Sequence, residues 1–203
     1  MKIICVGRNY AQHAREMGSE VPPEPVVFLK PDSSVILKRQ PLFLPSFSSD
    51  VHHEVELLVK INRVGKHIEE RFAHRYYDEI SLGIDFTARD VQAELKEKGL
   101  PWEKAKAFDG SAAIGQWVNK SEIGPISEIS FRLEKNGSIV QKGKGAEMIF
   151  SVDQLIAYIS KYFTLKKGDV IFTGTPEGVG PVFADDRLKA FIGDQCLLEL
   201  LVK

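Results

Sequence analysis

Glu54 and Glu56 stand two residues apart in the apolar run Val51-His52-His53-Glu54-Val55-Glu56-Leu57-Leu58-Val59, and Asp85 closes a second run, Ile80-Ser81-Leu82-Gly83-Ile84. Side chains on a strand alternate faces with a period of two, so a strand through the first run points both glutamates the same way. Like charges side by side on one face repel and weaken the strand. A hard divalent cation such as Mg²⁺ or Mn²⁺ would compensate, because these ions favour clustered carboxylate oxygens. The competing reading puts both glutamates on a solvated face with Val55, Leu57 and Val59 inside. Asp85, ending an apolar strand just ahead of a helix, tips the balance toward a ligand set. His52 shares the glutamate face by the same period. As a fourth ligand it would draw the site toward Zn²⁺; as a partner behind the ligands it leaves the site to Mg²⁺, and three carboxylates favour the second.

Other residues carry compatible chemistry. His13 and Glu16 follow the first strand at i and i+3, neighbours on one helical face. A carboxylate on one ring nitrogen fixes the tautomer and raises the basicity of the other, which makes a general base; the plain alternative is an exposed helical pair. The loop-like stretch from Gly18 to Pro25 suits a movable lid over about residues 9–25. Arg89 and Gln92 share a helical face about one turn past Asp85, where Arg can grip a carboxylate with paired donors. Lys96 continues that stripe, which argues equally for solvated surface. Lys106, between Ala105 and Ala107, can stabilise a developing enolate. The glycine-rich turn Thr173-Gly174-Thr175-Pro176-Glu177-Gly178-Val179-Gly180-Pro181 offers backbone N–H groups and the Thr175 hydroxyl to a carboxylate. It lacks the Lys-Ser/Thr ending of a P-loop, which speaks against a nucleotide.

The elements that must position these groups are mostly strands. Strand-like segments cover Lys2–Gly7, Pro25–Leu29, Val35–Leu37, Leu42–Leu44, Val55–Ile61, Ile80–Phe86, Ile129–Leu133, Ser138–Lys142, Asp169–Thr173 and Arg187–Val202. Asn136-Gly137 marks a two-residue hairpin, and Gly193-Asp194 a turn within the last stretch. A capping box at Ser151 and Gln154 opens one helix; Thr87 is placed to cap Ala88–Lys98, which Gly99 and Pro101 end. Shorter helices are expected over about Tyr10 to Met17 and Glu69–Tyr77. At 203 residues and 43% hydrophobic, one α+β, mostly β domain over residues 1–203 can bury a substantial core. A net charge of -1 gives no footprint for nucleic acid or an anionic membrane. No apolar run is long enough to span a bilayer, and Cys5 and Cys196 read as buried, reduced thiols of a cytoplasmic protein.

Taken in order, Gly-Arg-Asn-Tyr-x-x-His-x-x-Glu, His-His-Glu-x-Glu-Leu, Asp-x-Thr-Ala-Arg-Asp-x-Gln and Gly-Thr-Pro-x-Gly-Val-Gly-Pro resemble the fumarylacetoacetate hydrolase family nearly end to end, specifically its small acylpyruvate hydrolase and oxaloacetate decarboxylase members. The resemblance implies a mixed β-sandwich roll, usually homodimeric, without the extra N-terminal domain of longer fumarylacetoacetases. It implies Mg²⁺ or Mn²⁺ on Glu54, Glu56 and Asp85, an active-site Lys106, and a His13–Glu16 dyad on a mobile lid. Arg8, Lys30, Arg89, Gln92, Gly174 and Thr175 correspond to substrate-binding positions. The implied reaction on a 2-oxo acid is C–C hydrolysis of an acylpyruvate, with oxaloacetate decarboxylation or keto–enol tautomerisation as the alternative at the same metal.

Overall fold

β-Branched and aromatic residues crowd the segments that become strands, where stiff side chains pack well on a pleated surface. A computed structural model describes residues 1–16, 18 and 20–203, and among these the strands form three sheets. The largest runs in the order Val26–Lys30, Ile3–Gly7, Val170–Phe172, Val55–Ile61, Tyr77–Asp85 and Ala112–Ile114, with Val118–Asn119 also paired to Tyr77–Asp85. Ile3–Gly7 and Val170–Phe172 run parallel while their other neighbours run antiparallel, so the sheet is mixed. A second sheet orders Ser138–Lys144, Ser130–Lys135, Arg187–Ile192 and Gln195–Leu201, and a small third one Gly180–Pro181, Val51–His53 and Thr87–Ala88. The molecule is α+β and mostly β.

Local signals account for several of these elements. Asn136 and Gly137 take φ of 55° and 82°, the two positive angles a type I′ turn needs, and Lys135 pairs with Ser138 across it. The Ser151 hydroxyl accepts from the Gln154 N–H at 3.3 Å and the Gln154 side chain accepts from the Ser151 N–H at 2.9 Å, opening the helix Val152–Tyr162. That helix buries Val152, Leu155, Ile156 and Ile159 against the main core.

Other expectations are corrected. Val35 and Leu42 make isolated bridges rather than strands, since Pro41 and Pro45 interrupt the pairing of the second segment. Thr87 does not cap a helix: it belongs to a strand, and the helix Arg89–Glu97 starts after Ala88 with no side-chain cap. The predicted Glu69–Tyr77 helix shrinks to Glu70–Ala73 because Tyr77 is drawn into a strand. The first helix is Ala11–Glu16, with Tyr10 bridging Met148; Met17, and Ser19 in the candidate lid, lie outside the described residues. A short helix Glu103–Lys106, not anticipated, carries Lys106. Cys5 is buried, but Cys196 is exposed beside the Gly193 turn. No helix of the described residues is long and apolar enough to cross a membrane.

Candidate active site

Glu54 lies in neither strand of its run. Val51–His53 pairs in the small sheet and Val55–Ile61 in the large one, and Glu54 is the residue between them. The break cancels the period-two rule from His52 to Glu54. His52 therefore turns outward, its Nε2 2.8 Å from Asp50 Oδ1, and joins no metal-ligating group among the described residues. Its neighbour His53 is the buried one, with Nδ1 2.9 Å from Gln141 Oε1.

Glu54, Glu56 and Asp85 do converge. One oxygen from each lies within 4.8 Å of the others, and their exposures of 5%, 2% and 1% exclude the solvated-face reading. The Asp85 N–H donates to the Glu54 carbonyl at 2.8 Å, tying one strand end to the break in the other. Lys106 Nζ donates to Glu54 Oε2 at 2.7 Å, Asp85 Oδ2 at 2.8 Å and Thr87 Oγ1 at 2.6 Å. Arg89 donates to Glu54 Oε1 at 2.6 Å and to Gln92 Oε1 at 2.7 Å.

These pairings sort the carboxylates electrically. Burial opposes ionisation of Glu54, but Lys106 and Arg89 outweigh it and hold its carboxyl far below the usual range. Burial likewise opposes charge on Lys106, and Asp85 with Glu54 overcomes it, so the ammonium is held charged. Glu56 differs. Burial, then Asp85 and Glu54, push its carboxyl well above the usual value, and the Gly174 N–H at 2.6 Å offsets only part of this. Among the described residues Glu56 forms no ion pair with a cation. Asp85 Oδ1, buried and 2.8 Å from Lys30 Nζ, accepts no aligned hydrogen bond. An under-compensated buried carboxylate in an all-oxygen cluster fits a hard divalent cation.

His13 faces the same cavity. Its Nδ1 lies 3.3 Å from Glu16 Oε2, and the Gly178 N–H reaches the Glu16 carboxylate at 3.2–3.3 Å, fastening the short helix to the glycine-rich loop. Burial lowers the His13 pKa against the pull of Glu54 and Glu16, which keeps the ring neutral and free to accept a proton. Arg8, Arg89, Gln92, Lys96, Lys106 and Thr175 also border the cavity, and the edge-to-face rings of Phe28 and Trp102 (6.0 Å) form an apolar wall.

Three expected substrate contacts have their donors engaged within the protein. Lys30 sits behind Asp85, off the cavity wall, with its ammonium spent on Asp85, the Lys106 carbonyl and Ser111. Gly174 spends its N–H on Glu56; at φ 101°, a Cβ there would lie 2.7 Å from that of Asn9, so only glycine fits. Thr175 borders the cavity, yet its hydroxyl donates to the Val55 carbonyl at 2.9 Å, leaving a lone pair rather than a proton for a ligand.

Sequence reasoning passed over Gln141. Its carbonyl accepts from His53 Nδ1 and the Val55 N–H (3.0 Å), and its amide donates to Thr175 Oγ1 (2.9 Å) and the Pro176 carbonyl (3.0 Å). It thus clamps the strand break to the glycine-rich loop, and nothing in Ser138–Lys144 marks it except its turn toward the core. Gln141→Leu should orphan several buried polar groups at about 1–3 kcal/mol each, read as a lowered urea midpoint.

Known proteins show the family to which this chain is similar. The model of the fumarylacetoacetate (FAA) hydrolase C-terminal family matches residues 2–200. An oxaloacetate tautomerase of Escherichia coli K12 is 46% identical over 188 residues, covering 92% of this chain and 86% of its own. A mitochondrial oxaloacetate decarboxylase of Dictyostelium discoideum is 46% identical over 192 residues, covering 94% and 88%. The crystal structure of a Pseudomonas aeruginosa fumarylpyruvate hydrolase, solved with Mn²⁺ and pyruvate, superposes with a TM-score of 0.93 at 37% identity, covering 100% of this chain and 89% of that one.

Proposed function

The chain belongs to the fumarylacetoacetate hydrolase family, and on that footing we propose that it is a Mg²⁺- or Mn²⁺-dependent oxaloacetate keto–enol tautomerase. The observation that carries the proposal is the buried Glu54–Glu56–Asp85 cluster, faced by a neutral His13 and a charged Lys106. The motifs alone put acylpyruvate hydrolysis first. Relatives at 46% identity, named for oxaloacetate, reverse that order.

Glu54, Glu56 and Asp85 would hold the divalent ion, which would supply Lewis-acid polarisation to a bound 2-oxo acid. His13, its tautomer fixed by Glu16, takes the proton from C3. Lys106, its three N–H groups engaged by Glu54, Asp85 and Thr87, lends its positive charge to the oxygen on which enolate charge collects. Arg89 and Gln92 orient the carboxylate, while Phe28 and Trp102 keep water from the reacting carbon. The proton returned to oxygen gives the enol, and the reverse path restores the ketone. No water is consumed and no carbon–carbon bond breaks.

Decarboxylation is the second reading, favoured by the Dictyostelium relative, because loss of CO₂ leads to an enolate at the same place. We include a homodimer, a single catalytic domain and a lid over residues 9–25 in the proposal; the Glu16–Gly178 tether supports the last. One metal-loaded preparation should be offered oxaloacetate, acetylpyruvate and fumarylpyruvate. Keto–enol exchange of oxaloacetate should be the fastest reaction; faster pyruvate release from either acylpyruvate would make hydrolysis the function.

A further inference from the structure

Once the ion pairs of the site are assigned, two cations at its mouth are left over. Lys106 and Arg89 answer Glu54, and Lys106 and Lys30 answer Asp85. Arg8 and Lys96 border the same cavity, and among the described residues neither side chain makes an ion pair or a hydrogen bond. They arrive from different elements, Arg8 just after Ile3–Gly7 and Lys96 near the end of Arg89–Glu97. Partial burial, then Arg89 and Arg8, disfavour charge on Lys96. Arg8 also holds a left-handed backbone with φ 61°, a conformation that costs a non-glycine residue about 1–2 kcal/mol. Strain and like-charge repulsion tend to persist together where a ligand makes use of them. Beside the Phe28 and Trp102 wall, an anion placed between these cations would be only partly screened by water.

We propose that Lys96, with Arg8, receives the second carboxylate of a dicarboxylic 2-oxo acid and makes the site prefer dicarboxylates over monocarboxylates. The inference rests on the 2-oxo acid reading of the carboxylate cluster and names the substrate class within it. One carboxylate and the keto oxygen would face the cation that Glu54, Glu56 and Asp85 would hold. The other carboxylate, on the far side of the reacting carbon, meets the cationic rim. Lys96 is thereby a specificity residue, not the solvated end of a helical stripe.

Malate and lactate test this directly, since they are stable 2-hydroxy acids that differ by the distal carboxylate alone. Calorimetric titration of the Mg²⁺-loaded wild type should show tighter binding of malate. Lys96→Met, at an exposed helical position, should weaken malate about tenfold, equivalent to about 1.4 kcal/mol, and leave lactate unchanged, while Lys96→Arg keeps the malate preference. A wild type that does not prefer malate, a Lys96→Met variant that loses neither ligand, or one that loses both equally would overturn the assignment. Oxaloacetate exchange measured on the same preparations separates the two readings: a Lys96-dependent malate preference without exchange keeps the subsite and removes the tautomerase.

Discussion

Glu56→Gln is expected to melt at a higher temperature than the wild type without divalent cations, and to lose Mg²⁺-dependent turnover. Burial, Asp85 and Glu54 raise the Glu56 pKa in the folded protein. A carboxyl whose folded pKa lies above its unfolded value favours folding at low pH, and that contribution is lost as pH rises through the folded value. At neutral pH the wild type therefore carries a penalty that glutamine removes, while the glutamine carbonyl still accepts from the Gly174 N–H. Relief of this kind is worth on the order of 1 kcal/mol, or about 2–4 °C for a chain of this size. Saturating Mg²⁺ should invert the ranking, because an ion at 100 times its Kd adds about 2.7 kcal/mol to a protein that binds it. Thermal melts with EDTA and with Mg²⁺ check both halves. A variant less stable than wild type in EDTA, or one that keeps Mg²⁺-dependent turnover, would contradict the assignment.

His13→Ala should lower keto–enol exchange of oxaloacetate by about 10²–10⁴-fold, the range for loss of a general base. Hydrolysis of an acylpyruvate should fall with it, since water also needs a base. Decarboxylation should fall much less, because the electrons it releases need the sink at Lys106 and the metal rather than a proton acceptor. Burial lowers the His13 pKa, so kcat/KM for exchange should hold below the ordinary histidine value of 6.5 and drop only at more acid pH, as the ring takes up its proton. The alanine variant should lack that acid limb. Equal losses in all three reactions would argue against His13 as the base.

Much of this site is legible in the sequence. Carboxylates inside apolar runs are conspicuous, and Glu54, Glu56 and Asp85 do come together, although across a strand break and not along one continuous strand. Asn136-Gly137 and Ser151 with Gln154 also declare themselves, since their hydrogen bonds span three residues at most. What is not legible depends on contacts distant in the chain. The strand break at Glu54 arises because Val51–His53 finds partners in Gly180–Pro181 and Thr87–Ala88, and it turns His52 away. Thr87 looks like a helix cap until Lys106 claims its hydroxyl as an acceptor and Glu54 receives its proton. Lys30 and Gly174 carry matching motif positions, yet their donors are consumed in orienting Asp85 and Glu56. Gln141 bonds to Thr175, 34 residues away, and to Val55, 86 residues away, so no local pattern could reveal it.

The most direct test of the account is the absorbance of enol-oxaloacetate mixed with purified protein, with Mg²⁺ present and then with EDTA. Decay of the enol signal in proportion to protein concentration with Mg²⁺, and at the uncatalysed rate in EDTA, is the predicted result. Decay at the uncatalysed rate in both conditions would contradict it.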